Sequence, residues 1–335
     1  MPTAEDTPPV PPAVLAVLNG AVDLHCHSGP SPFPRRLNHV EAAHDGARIG
    51  MRAILVKSHH HNTVMDLLAM ETWLADAPTP VYGGVALNTE VGGVNPSAVA
   101  MSLRMGGRCV WAPTTCAGQH IDHHSHAAAG GFPSAAIDLL EKEVSIFDKS
   151  KTGTRAGTGA GSESGSESGS GSESESKDVS ADTVAVVDLV AETDTLLTGG
   201  HLDTESMKAL FAVAERRGVR RLLVQHPDFI VGASETDIEE LLGLGAYIEH
   251  EIAMYHPEVT AVGWPVQRLV DWIDRVGPER TVISSDLGQK GNPLPVDGYI
   301  HLVGALLDHG VAEKDIHTMV AANPAFLLGL EDSPS

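Results

Sequence analysis

Histidines and one aspartate recur at the ends of short apolar runs, and these are the residues from which chemistry can be read. The run VDLHCH carries His25 and His27 two positions apart. Side chains alternate along a strand, so Asp23, His25 and His27 are expected on one face and Leu24 and Cys26 on the other. Two imidazoles about 7 Å apart on one strand can converge on a single cation, and nitrogen ligands suit zinc and its neighbours. Alone the pair is weak, because 18 histidines make chance pairs common. The pattern repeats, however. His201 closes the fifth run in LLTGGH, His226 the sixth in LLVQHP and Asp286 the eighth in ISSDLG. Any one of these reads most simply as a structural residue, but burying all of them would require a separate partner for each. A shared cation answers them together.

The elements that must position these residues are eight apolar runs alternating with helical patterns: 21–27, 53–60, 81–88, 109–116, 193–201, 220–227, 246–253 and 281–288. Alternation of strand and helix implies parallel pairing, and eight units predict an α/β fold closed as a (β/α)8 TIM barrel. In parallel barrels the C-terminal strand ends build the active site, and the histidines stand there. Asp203 caps a helix ending at Gly218, and Pro265 opens one ending at Gly277. SAAIDLLEKEV (134–144) and DTVAVVDLVAE (182–192) form the crossover between strands four and five. Between them 151–180 is rich in Gly, Ser and Glu, with almost nothing apolar to bury, and reads as a disordered, dispensable insertion. The expected organisation is a Pro-rich tail over 1–19, one barrel over 20–330 and a short tail over 331–335.

VDLHCH at strand one, histidines ending strands five and six, SSD at strand eight and the closing MVAANPAFLLGL together resemble the amidohydrolase superfamily. The runs LVKSHHHNT, LNTEVGGVNPSAV, TGGHLD and VQHPD are similar to an uncharacterised group related to it. The resemblance implies a metal-dependent hydrolase. His25, His27 and His201 would be metal ligands, and Asp286 would bind the ion and act as general base. His226 would be a second-metal ligand or the group that polarises the substrate carbonyl. Members with two ions bridge them through a lysine or glutamate on strand four; VWAPTTC has neither, so one divalent ion is expected. Zn is preferred, with Mn or Fe and a second ion as alternatives. Such an ion lowers the pKa of water from about 16 toward 7, and the substrates implied are amides, cyclic amides, lactones or other esters. The same resemblance leaves open a metal-dependent decarboxylase, with Lys57, Arg35 or Arg36 receiving a carboxylate, and a phosphoesterase of the polymerase and histidinol phosphatase type. A barrel that only binds a ligand is the remaining reading.

Lys57 and His59 share a face of strand two near the mouth. Lys57 would bridge two ions if carboxylated; its plainer role is to bind an anionic substrate or to pair with Asp23. Alternation points at most one or two of His59, His60 and His61 inward. Glu249 on strand seven is a pocket candidate, and Glu251 shares its ambiguity. The loop 119–126, with His120, His123, His124 and His126, reads equally as a lid or as a solvated segment.

Acidic residues number 44 against 22 basic ones, for a net charge of −22. The insertion holds three bases and five acids, only −2 of that total. Nucleic acid is excluded as a partner by repulsion. An acidic surface with so few lysines resembles that of halophilic proteins; an ordinary acidic surface is the alternative. Three scattered cysteines give neither a disulfide framework nor a metal pair. With no apolar run of membrane-spanning length and no cationic, apolar leader, a cytoplasmic protein acting on a small molecule, with no membrane partner, is expected. Self-association into a homo-oligomer stays open.

Overall fold

The computed structural model describes residues 10–126, 137, 139, 142–148, 178–259 and 262–330. Eight parallel strands run in chain order. They are Val22–Cys26, Ala53–Val56, a third over 81–86 made of Val81–Tyr82 and Gly84–Ala86, then Cys109–Trp111, Leu196–Thr198, Leu222–Val224, Tyr247–Glu251 and Thr281–Ser284. The third strand pairs with the second through its first half and with the fourth through its second. The eighth meets the first where Asp286 N donates to His25 O at 2.8 Å and His27 N donates to Leu287 O at 2.8 Å.

Closure is visible in the packing as well as in the ladder. Leu24, Leu55, Ala86, Trp111, Leu196, Leu223 and Val282 come from seven strands yet belong to one buried cluster. Tyr247 of the remaining strand packs against it. Side chains from every strand of a sheet meet only inside a barrel. Their neighbours along each strand, such as Ile54, Val110, Leu197, Val224 and Ile283, face outward into two further clusters shared with the helices. The helix Asn323–Leu327 covers the end opposite the histidines: Ala325 and Leu327 join the interior cluster, and Asn323 Nδ2 donates to Pro278 O and Thr281 O.

The helix starts follow the sequence signals. Asp203 accepts from Ser206 N at the head of Thr204–Arg216, Ser180 caps Ala181–Thr193, and Pro265 precedes Val266–Val276. Two expectations are corrected. Pro12–Leu18 is a helix that buries Val14, Val17 and Leu18, so this part of the expected 1–19 tail belongs to the barrel. The described positions of 134–144 are not helical. There Lys142 O accepts from Thr89 Oγ1 and Val144 N donates to Cys116 O, so the backbone straps the fourth-strand loop. Most of the 151–180 insertion and all of 331–335 lie outside the described residues, while Phe147 and Val179 pair across the insertion's base. Among the described residues, no helix is long and apolar enough to cross a membrane.

The first strand departs from simple alternation in a way that matters for chemistry. A register shift between Asp23 and Cys26 marks a bulge. Val22 and Leu24 therefore join the interior cluster, yet His25 also faces inward, while Cys26 packs with the helices. Asp23 does not share the histidine face. It accepts from Ser285 N at 2.9 Å and Ser285 Oγ at 2.6 Å, on the side where the buried Tyr299 packs. This buried brace ties the first strand to the eighth. Ser285→Ala, which leaves one Asp23 oxygen without its donor, should cost about 1–3 kcal/mol in urea unfolding. A cost under about 0.5 kcal/mol would show that the brace is not needed.

Candidate metal centre

Each strand end is bent to bring its polar side chain over the mouth. His226 and Asp286 have φ of 50° and 48°, in the left-handed region that non-glycine residues seldom occupy. Each sits at the first turn out of its strand, where continued extension would carry the side chain past the axis. Two glycines make the neighbouring turns feasible. At Gly200, with φ of 57°, a Cβ would stand 2.4 Å from Ala112 O; at Gly288 it would stand 2.5 Å from His27 O. The GGH and DLG spellings are thus steric requirements of the mouth.

The side chains gather as follows. Asp286 Oδ1 lies 3.0 Å from His27 Nε2 and 3.4 Å from His25 Nε2. His226 joins His25 and Asp286 in a group whose donor atoms all lie within 4.8 Å of one another. The His25 ring is oriented from below by Glu249, whose Oε2 is 3.2 Å from Nδ1 and also accepts from Gln225 Nε2 at 2.6 Å. On the same strand, Glu251 Oε1 stands 3.2 Å from His226 Nδ1 and accepts from His226 N at 2.8 Å. His27 Nδ1 is fixed by Lys57 O at 3.2 Å. These partners direct the Nε2 atoms of His25 and His27 toward Asp286, as carboxylates and carbonyls do behind metal-bound imidazoles.

Electrostatics complete the donor set. Burial, reinforced by Lys57, holds His25 well below the usual imidazole range, and burial pulls His27 down to about 4 against the hydrogen bond that Asp286 accepts. His201 and His59 are lowered in the same way. Asp286 is half-buried, and its partial desolvation opposes ionisation, but the surrounding imidazoles hold it well below the carboxylate range. Neutral imidazoles and an ionised carboxylate are the protonation states that a metal requires of its ligands. Tetrahedral donors at zinc bond lengths of about 2.0–2.1 Å lie about 3.3–3.4 Å apart, close to the separations seen here. His201 adds a buried Nε2 with no hydrogen-bond partner. The residues present fit a divalent ion.

His201 stands beside His120 and His226, its Nδ1 2.8 Å from His120 Nδ1 and its ring 5.2 Å from that of His226. His120 is buried on a helix, Gly118–His126, rather than in a loop, because its ring stacks on His201 and docks the segment. Of the triple histidine, His59 bonds Thr114 Oγ1 at 2.8 Å beside His27, His60 is buried, and His61 turns to Asp66. Lys57 is buried with Nζ 3.0 Å from His25 Nε2; it does not pair with Asp23, which is engaged by Ser285. Its ammonium and a cation would compete for one lone pair, and burial lowers its pKa toward the neutral amine. Sequence reasoning missed Gln225 altogether and underrated Glu251. The alternation that selected Glu249 selects Glu251 equally.

A closed parallel barrel with histidines and an aspartate at its C-terminal mouth defines the class of fold, and solved structures share it. An amidohydrolase from Pseudomonas aeruginosa matches with a TM-score of 0.59 at 11% identity, over 95% of this chain and 98% of its own. The probable dipeptidase PvdM from the same organism gives 0.56 at 11%, over 94% and 96%. The phosphotriesterase homology protein from Escherichia coli, complexed with phosphate in its active site, gives 0.51 at 14%, over 93% and 99%. No curated protein matches the chain. Within that fold, residues 20–249 match the model of a family of unknown function, DUF6282, and the chain belongs to this family. Asp286 lies beyond the matched residues.

Proposed function

We propose that this protein is a metal-dependent hydrolase that opens an amide, cyclic amide, lactone or ester. The observation that carries the reading is the gathering of His25, His226 and Asp286 at the barrel mouth, with His27 Nε2 3.0 Å from the Asp286 oxygen that also faces His25. His25, His27 and Asp286 would hold a divalent ion, most suitably zinc, with His201, which lines the same cavity, offering the next nitrogen. The ion, when bound, polarises a carbonyl and lowers the pKa of water from about 16 toward 7. Asp286 then accepts the proton of the attacking water and returns it to the leaving group. His226 takes the carbonyl-polarising role: burial opposes its charge, but the Glu251 carboxylate raises its pKa and keeps a proton available for the substrate oxygen. Glu249 and Gln225 keep the His25 ring from turning away.

The test is a panel of lactones, amides, esters, carboxylic acids and phosphoesters incubated with purified protein in water enriched in oxygen-18. One labelled oxygen in a carboxylate product, with no carbon dioxide evolved, is expected. Carbon dioxide without label, or phosphate release alone, would replace the reading with decarboxylation or phosphoester cleavage.

A further inference from the structure

Acids outnumber bases two to one in this chain, and several of its arginines are met by carboxylates: Arg48 by Asp45 and Asp297, the buried Arg221 by Asp194, Arg268 by Asp228. Arg35 has no such partner among the described residues, and its Nε is buried without a hydrogen bond. The side chain is nevertheless held. Arg35 bridges Gln289, Arg36 N donates to Gly288 O and Lys290 N donates to Pro34 O, so its segment is laced to the loop that follows Asp286. The stem lies over Gly29, and the ring of Phe33 is 5.8 Å from Cζ. Burial pulls its pKa down to about 10, which leaves it charged at neutral pH. Asp286 supports this charge through space, but a held, partly buried guanidinium with no hydrogen-bonded carboxylate keeps its donors free to bind one.

Arg35 opens into the cavity that His27, His226 and Asp286 line. Phe229, Ile230, Met254 and Val259 form its apolar wall, and Gln289 and Asn292 add neutral amides. We infer that Arg35 receives a carboxylate carried by the substrate, so that the substrates are apolar molecules with a single negative charge set apart from the bond that is cleaved. The inference rests on the hydrolase reading for the cleavage, but the binding stands on its own. A carboxylate is favoured over a phosphoryl group because, imidazoles aside, Arg35 is the only cationic side chain among the described residues lining the cavity, Asp286 shares it, and the chain is strongly negative. One guanidinium balances one charge and grips a carboxylate through two parallel hydrogen bonds.

Calorimetric titration of the full-length, zinc-reconstituted protein with hexanoate, hexanamide and hexylphosphonate tests this. Hexanoate should bind at least about tenfold more tightly than hexanamide, since only the carboxylate can form a charged pair with Arg35. Arg35→Gln should remove that difference by weakening hexanoate about tenfold or more, with hexanamide and zinc content unchanged, and Arg35→Lys should restore part of it. Equal hexanoate affinity in wild type and Arg35→Gln, or no preference for hexanoate in wild type, would overturn the proposal. So would an Arg35-dependent preference for hexylphosphonate. Zinc content and hydrolysis of neutral esters, measured on the same preparations, report separately on the hydrolase reading.

Discussion

Asp286→Asn should lower turnover by about 100-fold or more while most of the metal stays bound. Asparagine is nearly isosteric with aspartate and tolerates the left-handed backbone that φ of 48° imposes at this position, so the turn out of the eighth strand should survive. Its amide oxygen can still face His25 and His27. It cannot accept a proton at neutral pH, so the attacking water loses its base. Alanine would confound the two effects by removing a donor as well as the base. Steady-state kinetics with metal analysis on the same sample separate them. A variant with full metal and near-normal turnover would show that Asp286 is not the base, and Glu251, the buried carboxylate behind His226, would be the next residue to examine.

His25→Ala and His27→Ala should each lose the ion and with it activity, but the structure makes them unequal in stability. His27 is buried but lines the cavity, and its removal opens Lys57 O to that cavity, so the unfolding midpoint should stay near that of wild type. His25 is fully buried between Glu249 and Lys57, and its removal takes a partner from each. A further loss of about 1–3 kcal/mol is expected for His25→Ala, the cost of leaving buried polar groups underbonded. Metal content and urea midpoints measured together check both statements. Wild-type metal in either variant would remove that histidine from the centre.

The barrel and the identity of its mouth residues were legible because both depend on periodicity and on strand ends. Every predicted strand exists, yet most apolar runs overshoot at their C-terminal ends. His201, His226 and Asp286 were read as the last strand residues, whereas the ladders stop at Thr198, Val224 and Ser284. Leaving the ladder is what turns these side chains over the mouth, and hydrophobic patterning does not register it. The bulge at Asp23 was equally invisible. An HxH on a strand looks the same with or without a register shift, and the shift sends Asp23 to Ser285 while sparing both histidines. His120 was ambiguous because a histidine-rich segment has little helical preference of its own, and its helix is docked by stacking on His201. Arg35 lies eight residues past His27 in a loop, and only the fold shows that it opens into the cavity of Asp286 without an ion pair among the described residues.

The central claim is that one divalent ion, held by His25, His27 and Asp286, is required for activity. The most direct measurement is metal content by elemental analysis of protein as purified, after chelation, and after stepwise return of zinc, with hydrolysis followed throughout. Close to one ion per chain is expected in the active preparation. Hydrolysis should vanish with the ion and return in proportion to zinc up to one equivalent. Full activity in metal-free protein, or zinc uptake that His27→Ala leaves unchanged, would contradict it.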